Sequence, residues 1–115
     1  MTGHIIHEFG HVIGFYHEHT RVDRDDHVSI DFSRISDELL AQYEIMDNPQ
    51  PGYYGVPYDL FSIMHYTGDD KITARDSKRS FLMGQRIALS FLDVKLANFA
   101  YKCAGKIMFL LIYEE

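Results

Sequence analysis

Helical spacing of apolar residues is clearest late in the chain, where Leu92, Leu96, Phe99 and Ala100 would share one face. Ser90-Phe91-Leu92-Asp93 reads as a capping-box-like start, so a helix is predicted from there to about Lys102, with that face packed in the core. A second helix is predicted at the other end. Thr2 can cap it, it runs to about Ile13, and Gly14 stops it because glycine enters the left-handed conformation without steric cost. Ser36 followed by Asp37 and Glu38 looks like a third start, with Leu39, Leu40 and Tyr43 on its buried side.

Less regular pieces lie between these. Residues 20–27 are polar and read as loop; Val28 to Phe32 reads as a short extended piece. The stretch from Asn48 to Pro57 holds all three prolines and two glycines and is a loop. Asp59 to Tyr66 is apolar and turn-like, whereas Thr67 to Lys78 is polar and irregular. Residues 104–115 end in an apolar run from Ile107 to Tyr113 that fits an added core strand but is not placed by any pattern.

Composition narrows the function classes. With 115 residues there is room for one domain at most, and eight Tyr and eight Phe suit a globular core. The net charge of −6 and the absence of a Lys/Arg cluster exclude a nucleic-acid partner, because phosphate contacts need clustered cations. The run 107–113 is far short of the ~20 residues a membrane span needs, so no membrane span is expected. The start lacks the basic region and uninterrupted apolar core of a signal peptide. One cysteine, Cys103, reads equally as a buried thiol or as half of a disulfide.

The chemistry lies in His7-Glu8-Phe9-Gly10-His11-Val12-Ile13-Gly14-Phe15-Tyr16-His17. Residues four apart on a helix are separated by about 40° around the axis, so His7 and His11 project from one face and can bind one ion. Glu8 shares that side and is placed to reach a water at the metal. Gly14 lets the chain turn back to bring in His17. Three imidazoles and an open fourth position describe a catalytic Zn²⁺ site, with one ion per chain, and peptide hydrolysis is the reaction that suits it. Among other signals, Asp23, Asp25 and His27 do not make a calcium loop, because Val28 stands where glycine is required. Arg21, Asp23, Arg24 and Asp25 read as loop-fixing ion pairs or solvated charges. His4, His19, His27 and His65 lack ligand spacing, and Met64 and Tyr66 read from sequence as buried core residues.

The glycine-then-histidine extension is the metzincin pattern. His17-Glu18-His19-Thr20-Arg21-Val22-Asp23-Arg24-Asp25 and Ser62-Ile63-Met64-His65-Tyr66 resemble the motifs of the astacin family of zinc metalloendopeptidases. Gly84-Gln85-Arg86, Leu89-Ser90, Asp93 and Tyr101-Lys102-Cys103 resemble the end of the same catalytic domain, so the likeness runs from about Gly3 to Cys103. The fold it implies is an α+β metzincin (zincin-like) catalytic domain, present mainly as its C-terminal helix-and-loop subdomain with the active-site helix. Residues 1–103 would form this partial peptidase domain, leaving 104–115 unassigned.

The resemblance also implies roles. His7, His11 and His17 would ligate zinc and Glu8 would be the general base. Met64 would be the Met-turn residue beneath the imidazoles. Tyr66 would be a further ligand that swings away on substrate binding and then supports the tetrahedral intermediate, work a phenol can do. The substrate would be an extracellular protein or peptide, and the enzyme secreted. In such enzymes the glutamate after the third histidine pairs with a freed amino terminus; too few residues precede His7 here to supply one, so Glu18 is expected to lack that partner. The family's N-terminal half, with its sheet and edge strand, has no counterpart in this sequence, and the cysteine that would pair with Cys103 belongs to that half. Two rival readings follow from that gap: a catalytically inactive zinc-binding fragment or pseudoenzyme, and a remnant with no stable fold.

Overall fold

The computed structural model describes residues 2–46 and 55–103. Two α-helices flank a stretch of short 3₁₀ turns and one small antiparallel ladder: α1 spans Thr2–Val12, β1 Val28–Ile30, β2 Ile72–Ala74 and α2 Phe91–Ala100. This small α+β arrangement with few strands is the expected class.

The end of α1 and the start of α2 follow local chemistry, while Thr2, expected as a cap, is already the first residue of α1. Gly14 adopts φ +89, and the helix is closed by hydrogen bonds from the Gly14 N–H to the His11 carbonyl (3.0 Å) and from the Phe15 N–H to the Gly10 carbonyl (2.9 Å). At α2, the Ser90 hydroxyl accepts from the Asp93 N–H and the Asp93 carboxylate accepts from the Ser90 N–H, a complete capping box.

The middle of the chain departs from the sequence reading in three places. The helix expected from Ser36 is a 3₁₀ segment, Asp37–Tyr43; it buries Tyr43 and half-buries Leu40, but leaves Leu39 exposed, and Ser36 makes no side-chain cap. Without that cap, and with few apolar residues to bury, the stretch stays in short 3₁₀ turns. The extended piece expected to reach Phe32 stops at Ile30, because Asp31 caps a 3₁₀ turn by accepting from the Ser33 N–H. Within the polar stretch read as irregular, Ile72–Ala74 forms β2, pairing Val28 with Ala74 and Ile30 with Ile72. Two apolar residues alternating about Thr73 were too short a signal, yet Ile72 and Ala74 are both buried.

Two apolar clusters result. One gathers Val28, Ile35, Tyr43, Tyr58, Ile72, Ala74 and Met83 around the ladder. The other joins Phe15, Ile63 and Met64, with Ile6, Leu96 and Ala97 against them, and so ties α1 to α2. Of the face predicted for α2, Leu92, Leu96, Phe99 and Ala100 are only half-buried, and the helix residue that is fully buried is Asp93. Cys103 is an exposed free thiol. Most of the predicted 48–57 loop and all of 104–115 lie outside the described residues.

Candidate metal centre

His7 and His11 leave α1 on one side, and the Gly14 reversal returns His17 to them. The His17 Nε2 lies 3.2 Å from the His11 Nε2 and 3.3 Å from the His7 Nε2. Donors on a tetrahedral ion at zinc–imidazole bond lengths stand about 3.3 Å apart, so these spacings fit one such ion. Among the described residues this trio is the one group of three His, Cys, Asp or Glu side chains able to share an ion.

The outer nitrogens explain why the rings face inward. His7 Nδ1 donates to the Ile63 carbonyl at 2.7 Å, and His11 Nδ1 donates to the Phe15 carbonyl at 2.8 Å. Each bond fixes the tautomer that leaves the Nε2 lone pair for a metal. His17 is held through its backbone, whose carbonyl accepts from both the Thr20 hydroxyl (2.7 Å) and the Thr20 N–H (3.0 Å). Burial lowers the pKa of His7 against the opposing Ile63 carbonyl. It drives that of His17 down to about 3, with His19, His11 and His7 adding to the effect. Both shifts favour the neutral imidazole at His7 and His17, the form a metal binds.

Met64, 1 % exposed, packs with Phe15 and Ile63 against α1. A Cβ at Gly10 would stand 2.4 Å from the Met64 Sδ, so the absence of a side chain at Gly10 lets the sulfur reach the helix backbone. The turn carrying Met64 is pinned from α2: Asp93 accepts from the Ser62 hydroxyl at 2.6 Å and from the Ile63 N–H at 3.0 Å. Since the Ile63 carbonyl orients His7, Asp93 acts on the metal site through one peptide unit. The sequence showed Asp93 only as part of a cap, because its second task depends on a contact 30 residues away.

Glu8 is exposed beside His7, and its charge reaches both His7 and Arg86. Tyr66 is half-buried, its ring 4.5 Å from that of His17, and its hydroxyl donates to the Gln42 Oε1 at 3.1 Å. His4 is exposed on α1 and stays outside the cluster. A cleft of about 560 Å³ opens beside the trio, lined by His11, His17 and Tyr66 together with Gln42, Ile45 and Met46.

Glu18 follows His17 into the interior, where its carboxylate pairs with Arg21 Nη1 at 3.1 Å and accepts from the Asp59 N–H at 2.8 Å. Burial pushes its pKa up to about 7 despite both partners. Arg21 and Arg24, read as loop-fixing or solvated, are buried. Arg21 also holds Asp23, at 2.7 Å, and Arg24 donates to the His19 and Tyr43 carbonyls. Both fix the loop.

Comparison with known proteins places this arrangement. The family model described as Astacin, subfamily A of peptidase family M12, matches residues 1–102. Zinc metalloproteinase nas-34 of Caenorhabditis elegans is 46% identical over 106 residues, which cover 86% of this chain and 18% of that protein. Blastula protease 10 of Paracentrotus lividus is 40% identical over 108 residues, covering 88% of this chain and 18% of that protein. Among solved structures, High choriolytic enzyme 1, a hatching enzyme zinc-protease from the medaka Oryzias latipes, superposes with a TM-score of 0.79 at 35% identity, covering 88% of this chain and 52% of that one. The chain thus spans about half of that structure and less than a third of the curated relatives named here. With a match over nearly its whole length, the chain belongs to the astacin family.

Proposed function

We propose that this chain carries the zinc site of a metalloendopeptidase that hydrolyses peptide bonds in proteins. The observation that carries the proposal is the convergence of three histidines, with the His17 Nε2 at tetrahedral spacing from those of His7 and His11, one residue from the exposed carboxylate of Glu8. Residues 1–103 act as one peptidase unit in this reading, with His7, His11 and His17 as the zinc ligands. Zinc bound there supplies Lewis acidity, acidifying a water and polarising a carbonyl. Glu8 takes the proton of the attacking water and returns it to the leaving amine. Met64 would form the floor beneath the imidazoles, and Tyr66 would be a further ligand at rest that, once turned aside, hydrogen-bonds the developing oxyanion through its hydroxyl.

The substrate is a protein or peptide whose chain lies along the cleft beside His11, His17 and Tyr66. By family membership the setting is extracellular. No helix among the described residues is long and apolar enough to cross a membrane.

Glu8→Gln tests the assignment. The variant is expected to hold about one zinc per chain, because Glu8 is not a ligand, while peptide hydrolysis falls by about 10²–10⁴-fold. Hydrolysis at the native rate in Glu8→Gln would refute the role given to Glu8. Zinc bound without turnover in the native chain would favour the inactive zinc-binding reading instead.

A further inference from the structure

Tyr66 is described with its hydroxyl on Gln42, a residue that no motif singles out. The backbone that carries Gln42 is unusually well fixed for a 3₁₀ segment. Two successive carbonyls are held by buried side chains from the stretch just after His17: His19 Nε2 donates to the Gln42 carbonyl at 3.0 Å, and Arg24 donates to that of Tyr43. A third tie follows, from the Met46 N–H to the Thr20 carbonyl at 3.0 Å. The position of Gln42 relative to the third histidine is thus set by the loop that carries that histidine.

The phenol ring has walls as well as an end stop. It stands 4.5 Å from the His17 ring and 4.1 Å from the His19 ring, with Tyr43 edge-on at 5.7 Å. Of these neighbours, the Gln42 Oε1 is the acceptor its hydroxyl uses, at 3.1 Å. Gln42 and Tyr66 line the same cleft as His11 and His17, and the phenol hydroxyl is bonded to Gln42 rather than to a histidine Nε2.

We propose that Gln42 is the off-metal dock of Tyr66, a positioning residue whose side-chain carbonyl holds the phenol aside and leaves the fourth metal position open. The proposal rests on the reading of Tyr66 as a resting metal ligand. A neutral amide suits the task. It accepts the phenol proton without removing it, and in an exposed place its bond is weak enough for the metal to compete. Losing one such bond should shift the balance between metal and dock by roughly two- to tenfold toward the metal.

The test loads the full chain with copper(II) and follows the charge-transfer absorption of a phenolate on copper, which reports Tyr66 on the metal. Acetohydroxamate is titrated in to displace it, and the midpoint is read. In Gln42→Leu, and in its near-isosteric companion Gln42→Met, the midpoint should rise by roughly two- to tenfold. In Gln42→Glu, which keeps an acceptor, it should stay at or below the native value. Copper per chain equal to native establishes that the three histidines are intact in each variant. An unchanged or lower midpoint in both Leu and Met variants, with the band lost in Tyr66→Phe, overturns the dock while leaving Tyr66 a ligand. A band that survives in Tyr66→Phe, or is absent from both native and Gln42→Leu proteins, refutes the ligand reading itself and the dock with it.

Discussion

Two sets of histidines, a few ångströms apart, use the same ring for opposite ends. In the first set, His7 and His11 engage Nδ1 with backbone carbonyls, and with His17 they turn Nε2 on one another. In the second set the inner nitrogen is already committed. His65 accepts from the Tyr58 hydroxyl at Nε2 (2.8 Å) and donates from Nδ1 to the Tyr66 carbonyl (2.7 Å), while His19 donates from Nε2 to the Gln42 carbonyl. Both interior rings are fully buried. What separates a candidate ligand from a structural histidine here is therefore which nitrogen the protein leaves unspent. His19 Nδ1 is the one buried side-chain atom without a partner among the described residues, and it stands alone rather than facing a second donor.

The largest effect should come from breaking the first set. His11→Ala removes one of the three proposed ligands, and zinc content after dialysis should fall from about one per chain to near none. His65→Leu should leave the zinc content at about one per chain. Equal metal in the two variants, measured by elemental analysis, would show that convergence of Nε2 atoms is not what distinguishes them.

That distinction was half legible in the sequence. The spacing of His7, His11 and His17 identifies the trio because helix geometry and one glycine turn determine their meeting, and the structure brings all three together. His19 and His65 had no spacing to give them away; their partners, Gln42 and Tyr58, come from elsewhere in the chain. The same limit applies to the fold. α1 and α2 announce themselves through caps and glycine, which are local. The β1–β2 ladder joins segments more than forty residues apart, and three-residue strands have too little periodicity to be seen alone. Asp93 is an intermediate case: its cap is local and legible, its hold on the Met64 turn is not.

Acid should sharpen the comparison next. Burial lowers the pKa of His19 to about 4 against the Gln42 hydrogen bond, and that of His65 to about 4 against the Tyr66 hydrogen bond. Their ordinary value, and that of the unfolded chain, is 6.5. The folded state therefore binds fewer protons than the unfolded state between these values. Stability is fully present above pH 6.5 and is lost as pH falls toward 4, by on the order of 3 kcal/mol for each ring. Denaturant melts of the metal-free chain across that range should show the loss. His65→Leu should make it shallower, even though leaving the Tyr58 hydroxyl unpaired costs about 1–3 kcal/mol at pH 7. A melt independent of pH from 6.5 to 4 would contradict the burial assigned to the pair. Two further groups act in the metal-free chain: His17, lowered to about 3, adds to the acid loss, whereas Glu18, raised to about 7, favours folding less as pH rises from 4.5 to 7 and so offsets part of it.

Asp93→Asn probes how the first set is kept apart from the second, and its effect should be the smallest. Asp93 touches none of the histidines. It holds the Ser62 hydroxyl and the Ile63 N–H, and the peptide so held presents the Ile63 carbonyl to His7. An amide at this position keeps one acceptor and presents a donor where the Ser62 or Ser90 groups need a second acceptor. The Met64 turn should loosen and the His7 ring lose part of its orientation. Outer partners of metal ligands typically carry 10–100-fold in affinity, and the retained acceptor places Asp93→Asn near the lower end, about tenfold. Zinc affinity by competition with a chelator would measure it, and the loss should be absent from a control change, Ser90→Ala, which removes the cap and the Ser90 hydroxyl's bond to Asp59 but leaves both Asp93 bonds to Ser62 and Ile63 in place. Equal losses in Asp93→Asn and Ser90→Ala would make α2 capping, rather than the Ile63 peptide, the link between that helix and the metal centre.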